Sequence, residues 1–290
     1  MKVLVIGGSG FIGSHIADEL SSRDYDVTIF DKEYSQWIQE NQNMIKGNLS
    51  DIDMLENQIS NTDVVYHMAG VADIAEAEED PMTTITNNII GSSAVMNLCA
   101  KYNVRLMYGS TVYVYSKHGS FYRASKQAVE TLIEVFNEEK GLDYTILRYG
   151  SLYGPRSQPW NGLKRIVNEM LVNKKIIFGG TGNEKREYIH VLDAARMSVD
   201  LIKEDYLQKA VTLTGLQVLT QAELLEMISE ILDTDVSITF DEQSTSHAHY
   251  KLTPYQYVPK SSKKHISNEY IDIGQGVLEL ISELSDEKQS

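Results

Sequence analysis

Apolar and polar positions switch between two periods along this chain, and the switching predicts its elements. Short apolar runs at KVLVIG (2–7), at DVTIF closing on Asp31, at 44–46, 63–67 and 142–147 read as strands. Between them, apolar residues recur three and four apart. SHIADELSSR carries Ile16, Ala17 and Leu20; the segment Thr83 to Tyr102 carries Ile85, Ile89, Ala94 or Val95, and Leu98; SKQAVETLIEVFNEE follows the same rule. Strands alternating with helices predict an α/β fold with a parallel, right-handed, doubly wound sheet. Gly154-Pro155 and Pro159 then mark a break. Beyond it the pattern predicts a helix at 162–173, a strand at 176–178, and a strand at 186–193 running into a helix to 202. A strand at 211–213, a helix at 221–232, an irregular segment at 243–264 and a last helix near Gly276 follow.

The first strand runs into Gly7-Gly8-Ser9-Gly10-Phe11-Ile12-Gly13 and then a helix. Glycines at this spacing allow a tight turn, let backbone approach a pyrophosphate, and let helix and strand pack closely. Asp31, 18 positions past Gly13, stands where a carboxylate accepts hydrogen bonds from an adenosine ribose. That carboxylate would repel a 2′-phosphate, so it favours NAD over NADP; Lys32 beside it weakens the preference. Asn48-Leu49 follow the third strand, with Ser50 or Asp51 as helix cap. Met68-Ala69-Gly70 give small residues after the fourth strand, where a flat cofactor could lie close to backbone. His67 reads as a packed strand-end residue. Asn88 reads as a solvated polar residue by default and as a positioning group in the sharper alternative.

Composition narrows the class. With 42% hydrophobic and 23% charged residues the chain is an ordinary globular one. The net charge of −15 argues against nucleic acid as a partner. No signal-peptide core or membrane-length run is present, and the single Cys99 excludes an internal disulfide, so cytoplasm is the expected compartment. His247 and His249 lack a third ligand at suitable spacing, and no metal is expected.

Candidate chemistry centres on GSTVYVYSKHGSFYRASK, 109–126, which holds two Tyr-x-x-x-Lys pairs, Tyr113/Lys117 and Tyr122/Lys126. On a helix such a pair shares one face, and the ammonium would lower the phenol's pKa toward useful acid–base chemistry. With 17 tyrosines in the chain, a pair alone is a weak signal.

Together GGSGFIG, Asp31, HMAG (67–70), NNIIGS (87–92), GST…YRASK, LRYGSLYGPR (147–156) and REYIHVLDAA (186–195) resemble the extended short-chain dehydrogenase/reductase family, in its nucleotide-sugar epimerase and dehydratase branch. The resemblance covers roughly 1–200 well and the tail loosely. It implies a Rossmann-type domain, 1–156 with 186–215 returning to it, and a smaller C-terminal lobe, 157–185 and 216–290, that closes over a nucleotide diphosphate sugar. It implies NAD held by Gly7, Gly10, Phe11, Ile12, Gly13, Asp31, Lys32, Asn48, Leu49, Met68, Ala69, Gly70, Asn88, Tyr122 and Lys126. It assigns Thr111, Tyr122 and Lys126 to catalysis, because the family's lysine lies on a helix and Lys117 falls in a loop. Sugar-nucleotide contacts fall to Thr111, Tyr122, Ser151, Arg156 and Arg186, the last clamping phosphates as a bidentate guanidinium can. A homodimer through helices at about 83–101 and 122–139 is also implied.

Three departures stand out: Asn48 replaces an aspartate, Ser151 an asparagine, and the interval from Thr111 to Tyr122 is shorter than relatives carry, which implies a more open sugar pocket. Relatives that dehydrate or decarboxylate place an acid just after the threonine, where this chain has Val112-Tyr113. The expected activity is C4 epimerisation through a 4-keto sugar. The alternatives are a 4-ketosugar reductase using NAD(P)H, then a 4,6-dehydratase, and a non-catalytic dinucleotide-binding protein.

Overall fold

The computed structural model describes residues 1–116, 118–233, 235–243, 263–266 and 269–287. Strands β1 (Lys2–Ile6), β2 (Asp26–Asp31), β3 (Gln42–Lys46), β4 (Val64–His67), β5 (Arg105–Thr111), β6 (Tyr144–Tyr149) and β10 (Lys209–Leu213) form one parallel sheet, extended at its edge by the two-residue β13 (Lys263–Lys264). Its order is 13-10-6-5-4-1-2-3. The chain direction reverses outward from β1 and β4, the switch point at which doubly wound sheets bind ligands beyond their strand ends.

Alternate strand residues point to opposite layers, which gives the sheet two cores. Val3 and Val5 of β1 pack with Ile16, Ala17 and Leu20 of α1 (Phe11–Ser22) and with Ala194, Met197 and Val199 of α8 (Val191–Asp200). Leu4 and Ile6 face the other way. They join Leu55 and Ile59 of α2 (Ile52–Ile59), Val95, Met96 and Cys99 of α5 (Ser92–Tyr102), and Val129 and Ile133 of α6 (Ser120–Lys140). Two short helices, α3 (Ile74–Glu79) and α4 (Pro81–Ile85), lead into α5.

A third core lies outside the sheet. It is built from α7 (Gly162–Asn173), β8 (Lys175–Gly179), α9 (Gln221–Ile231), β12 (Ser237–Asp241) and α10 (Ile273–Glu287). Strand β9 (Lys185–His190) does not enter the large sheet. It pairs with β7 (Ser151–Tyr153) on one side and β11 (Val218–Thr220) on the other, so the chain returns to the first layer through α8 and β10. Helix α9 begins in a capping box in which Thr220 and Glu223 exchange side-chain and backbone bonds.

The helix expected over Thr83–Tyr102 is interrupted. Thr86–Gly91 takes one wide π turn between α4 and α5, an irregularity that apolar spacing does not reveal. The His247/His249 pair lies outside the described residues. Among the described ones, no three His, Cys, Asp or Glu groups gather as metal ligands, and no helix is long and apolar enough to cross a membrane.

Cys99 is fully buried between α5 and the sheet, and burial pushes its thiol well above the usual range. Thiol reagents should therefore label Cys99 only as the protein unfolds, with labelling and loss of circular dichroism coinciding along a urea titration.

Candidate active site

The C-terminal ends of β1, β2, β4 and β5 converge on one edge of the sheet. After β1, Gly7 adopts φ +85°, and its N–H donates to Phe30 O at 2.9 Å. A Cβ there would overlap the Ala69 backbone, and one at Gly13 would overlap the Gly7 carbonyl oxygen. Both glycines are thus required by backbone contact. Helix α1 opens at Gly10 with no side-chain cap and no acidic residue in its first turn, so its amides face outward beside Phe11 and Ile12. This is the cradle a pyrophosphate needs.

Asp31 ends β2 with its carboxylate fixed, Oδ2 accepting from Ser9 N at 3.0 Å and Oδ1 from Glu33 N at 3.1 Å. The carboxylate therefore ties the glycine turn to the strand meant to read the ribose. Lys32 is exposed beside it. Asp51 caps α2 in position only: its side chain turns back to accept from Asn48 N at 2.7 Å, while Asn48 Oδ1 accepts from Ser50 N at 3.3 Å. Leu49 packs into the core below.

Asn88 corrects an expectation. It is buried, not solvated, and its amide is committed within the protein. Oδ1 accepts from Val71 N at 2.7 Å, and Nδ2 donates to Val71 O and to Ser125 Oγ, both at 2.9 Å. Ser125 Oγ in turn donates to Tyr122 O at 2.8 Å. The π turn delivers Asn88 to a point where it joins the Met68–Gly70 loop to the start of α6. With those bonds made, it positions the site and leaves cofactor contact to its neighbours.

Thr111 closes β5. Its hydroxyl accepts from Tyr113 N at 3.2 Å and lies close enough to the Tyr122 phenol to oppose the rise of its pKa. Lys126, one turn further along α6, is buried; its Nζ donates to Gly109 O at 2.8 Å and lies 4.8 Å from the Tyr108 ring centroid. Here the expected pKa logic fails. Burial pushes the Tyr122 phenol up to about 12, opposed by the Thr111 hydroxyl. The ammonium, aimed at a carbonyl and over another ring, does not offset that. Burial also pulls Lys126 down to about 8, opposed by the Glu130 carboxylate. Of the two tyrosine pairs, Tyr122/Lys126 stands on one helix. Tyr113 sits in a 3₁₀ turn, Val112–Tyr115, and Lys117 lies outside the described residues.

His67 is packed, as expected, with its Nε2 2.9 Å from Ser92 Oγ and burial holding its pKa down at about 3.

On the substrate side, Ser151 opens β7 opposite Tyr188, and Arg186 stands two residues before Tyr188 on β9. Arg156 adopts φ +63°, pairs with Asp18 of α1 at 2.7 Å and stacks over Trp37, its guanidinium carbon 4.9 Å from the ring centroid. These contacts fasten the loop after β7 to the first layer and hold the guanidinium through one of its nitrogens.

Sequence reading missed Glu130, Arg148 and Ser110, which form a buried cluster against Lys126. Two signals were available: an acid four residues after the lysine, and an arginine inside the otherwise apolar YTILRY strand.

The sequence pattern of the NAD dependent epimerase/dehydratase family matches residues 3–212. The chain belongs to that family. It is 30% identical over 219 residues to a Methanocaldococcus jannaschii protein with the provisional name UDP-glucose 4-epimerase, covering 68% of this chain and 72% of that one. It is 27% identical to the UDP-N-acetyl-alpha-D-glucosaminuronate decarboxylase of Bacillus cytotoxicus, over 70% of this chain and 71% of that one. The solved UDP-N-acetylglucosamine 4-epimerase of Methanobrevibacter ruminantium, in complex with UDP-N-acetylmuramic acid, superposes with a TM-score of 0.84 at 26% identity, covering 99% of this chain and 98% of that one. Membership makes NAD the cofactor, and the glycine cradle at Gly7 and Gly13 fits its pyrophosphate.

Asn88→Ala should cost about 2–3 kcal/mol, since Val71 N, Val71 O and Ser125 lose their partner in a buried place. Urea unfolding of the variant against the unaltered chain measures this.

Proposed function

We propose that this protein epimerises a nucleotide diphosphate hexose at C4 through a 4-keto intermediate. The supporting observation is the placing of the Tyr122 phenol beside the Thr111 hydroxyl, with buried Lys126 one turn along the same helix and no free acid in the turn that follows. When bound, NAD supplies a reversible hydride acceptor and a positive charge. Tyr122 receives the C4-hydroxyl proton at Oη and later returns it, while Thr111 Oγ1 hydrogen-bonds the same oxygen. Lys126 supplies the cation that favours the phenolate. Ser151 and Arg186 are the proposed sugar–phosphate contacts, and the lobe formed by 157–185 and 216–290 closes over the nucleotide.

Removing a C5 proton, as dehydration requires, would need a base near Thr111. Val112 is buried, and Glu130 is committed to Arg148 and Ser110. That speaks for epimerisation over dehydration. Incubation with UDP-, GDP- and dTDP-hexoses, followed by NMR of the sugars, tests the reading. An epimerase interconverts C4 epimers with no net change in nicotinamide absorbance, whereas a reductase consumes NAD(P)H in proportion to product.

Tyr122→Phe should lower turnover by about 100- to 10,000-fold with cofactor still bound. Near-normal turnover in that variant would remove Tyr122 from the mechanism. We also propose a homodimer through the faces of α5, the π turn before it and α6, supported by Ile90 of that turn and Phe121 and Val135 of α6, which are 61%, 43% and 46% exposed. Light scattering should give twice the 32.7 kDa chain mass; a monomer mass at micromolar concentration would reject it.

A further inference from the structure

Glu130 lies one helical turn after Lys126 on α6, and the two are 8% and 7% exposed. Its Oε1 accepts from Ser110 Oγ at 2.6 Å and from Arg148 Nε at 3.0 Å, and its Oε2 accepts from Arg148 NH2 at 2.6 Å. Arg148 comes from β6, is 4% exposed, stacks 4.9 Å from the Tyr115 ring centroid and donates to the Tyr115 hydroxyl. A buried ion pair of this kind adds little stability over apolar residues of equal volume. Its placement supplies another reason for it. Gly109, Ser110 and Thr111 are successive residues of β5; the first two are bonded to Lys126 and Glu130 of α6, and the third lies beside the Tyr122 phenol.

We propose that Glu130, clamped by Arg148, is a positioning residue that fixes the β5–α6 register and serves as counter-charge to the buried Lys126 ammonium. The titratable and charged groups acting on Lys126 are His67 from β4, Tyr108 from β5 and Glu130 from α6, with Arg148 from β6 and Tyr115 from the 3₁₀ turn behind the carboxylate. Of these, Glu130 carries the negative charge. His67 is neutral, its pKa held at about 3 by burial and by Lys126 itself. The carboxylate sits between two cations, and Arg148 prevents it from swinging out of reach of the lysine. Electrostatics then keep Lys126 charged around neutral pH, although burial alone would favour the free amine.

The catalytic part of this inference rests on Lys126 acting in the proposed reaction; the charge coupling does not. The test is an NMR titration of protein labelled at lysine Cε, with the Lys126 signal assigned by its loss in Lys126→Arg. The midpoint should lie near 8 in the unaltered chain. It should fall by about one unit or more in Glu130→Gln and stay near its original value in Glu130→Asp, which keeps the charge. The alkaline limb of turnover should move down with it. A looser, wetter site would move the midpoint upward instead, so an unchanged or raised midpoint in Glu130→Gln overturns the proposal. Should that variant not fold, the double variant Glu130→Met/Arg148→Met leaves no lone buried charge; losing the nearer carboxylate with the farther guanidinium, it should still lower the midpoint, by less than the single variant, and an unchanged or raised midpoint again overturns the proposal. A lowered midpoint with no sugar nucleotide converted would reject the epimerase reading while upholding the coupling. Conversion with an unmoved midpoint would do the reverse.

Discussion

Strand β5 and helix α6 meet at three successive strand residues, and the candidate active site depends on that junction. The Gly109 carbonyl accepts from Lys126, the Ser110 hydroxyl donates to Glu130, and Thr111 lies beside the Tyr122 phenol. Neighbouring strand side chains point to opposite faces, so consecutive residues can reach the same helix only where the strand ends and its last residue turns over the edge. The 3₁₀ turn at Val112–Tyr115 begins at that place. Asn88 holds the junction from the other side through Ser125, so the cofactor loop after β4 and the catalytic helix form one hydrogen-bonded unit.

One physical cause sets the protonation of the whole edge. Burial disfavours charge, and so it raises Tyr122, lowers Lys126 and lowers His67 together. In the protein alone the phenol is protonated, and it is a poor base until positive charge is brought beside it. The lysine cannot supply all of that charge, because its ammonium is turned to the Gly109 carbonyl. This arrangement links acid–base readiness to cofactor occupancy. The same desolvation drives the two groups apart, Tyr122 up to about 12 and Lys126 down to about 8, so the phenol holds its proton more tightly than the ammonium does.

The fold was legible because its signals are local. Strands buried on both faces read as unbroken apolar runs, and the α7 boundaries at 162 and 173 follow directly from apolar spacing. What was hidden depended on tertiary partners. The π turn at 86–91 costs the helix one register step, and only the buried Val71 and Ser125 partners of Asn88 explain it. Strand β9 looked like a member of the main sheet, yet it pairs with β7 and β11, since pairing is decided between segments and not within one. The resemblance implied a substrate contact for Arg156; its ion pair with Asp18 and its stacking on Trp37, both remote in sequence, could not be read from the motif.

The short segment between Thr111 and Tyr122 was expected to leave the sugar pocket open, and its packing shows a different consequence. Val112, Val114 and Tyr115 bury themselves as a small cluster, and Tyr113 turns its ring edge-on against Tyr122, with centroids 6.3 Å apart and planes at 71°. Gly119 makes this fit possible, since at φ +105° a Cβ there would press on the Tyr113 ring. The Tyr113 ring thus stands beside the Tyr122 phenol, and the 3₁₀ turn hydrogen-bonds Tyr113 N to the Thr111 hydroxyl. In the proposed reaction a sugar oxygen bonded to Thr111 would compete with that bond, and the residue packed against the phenol would feel the change.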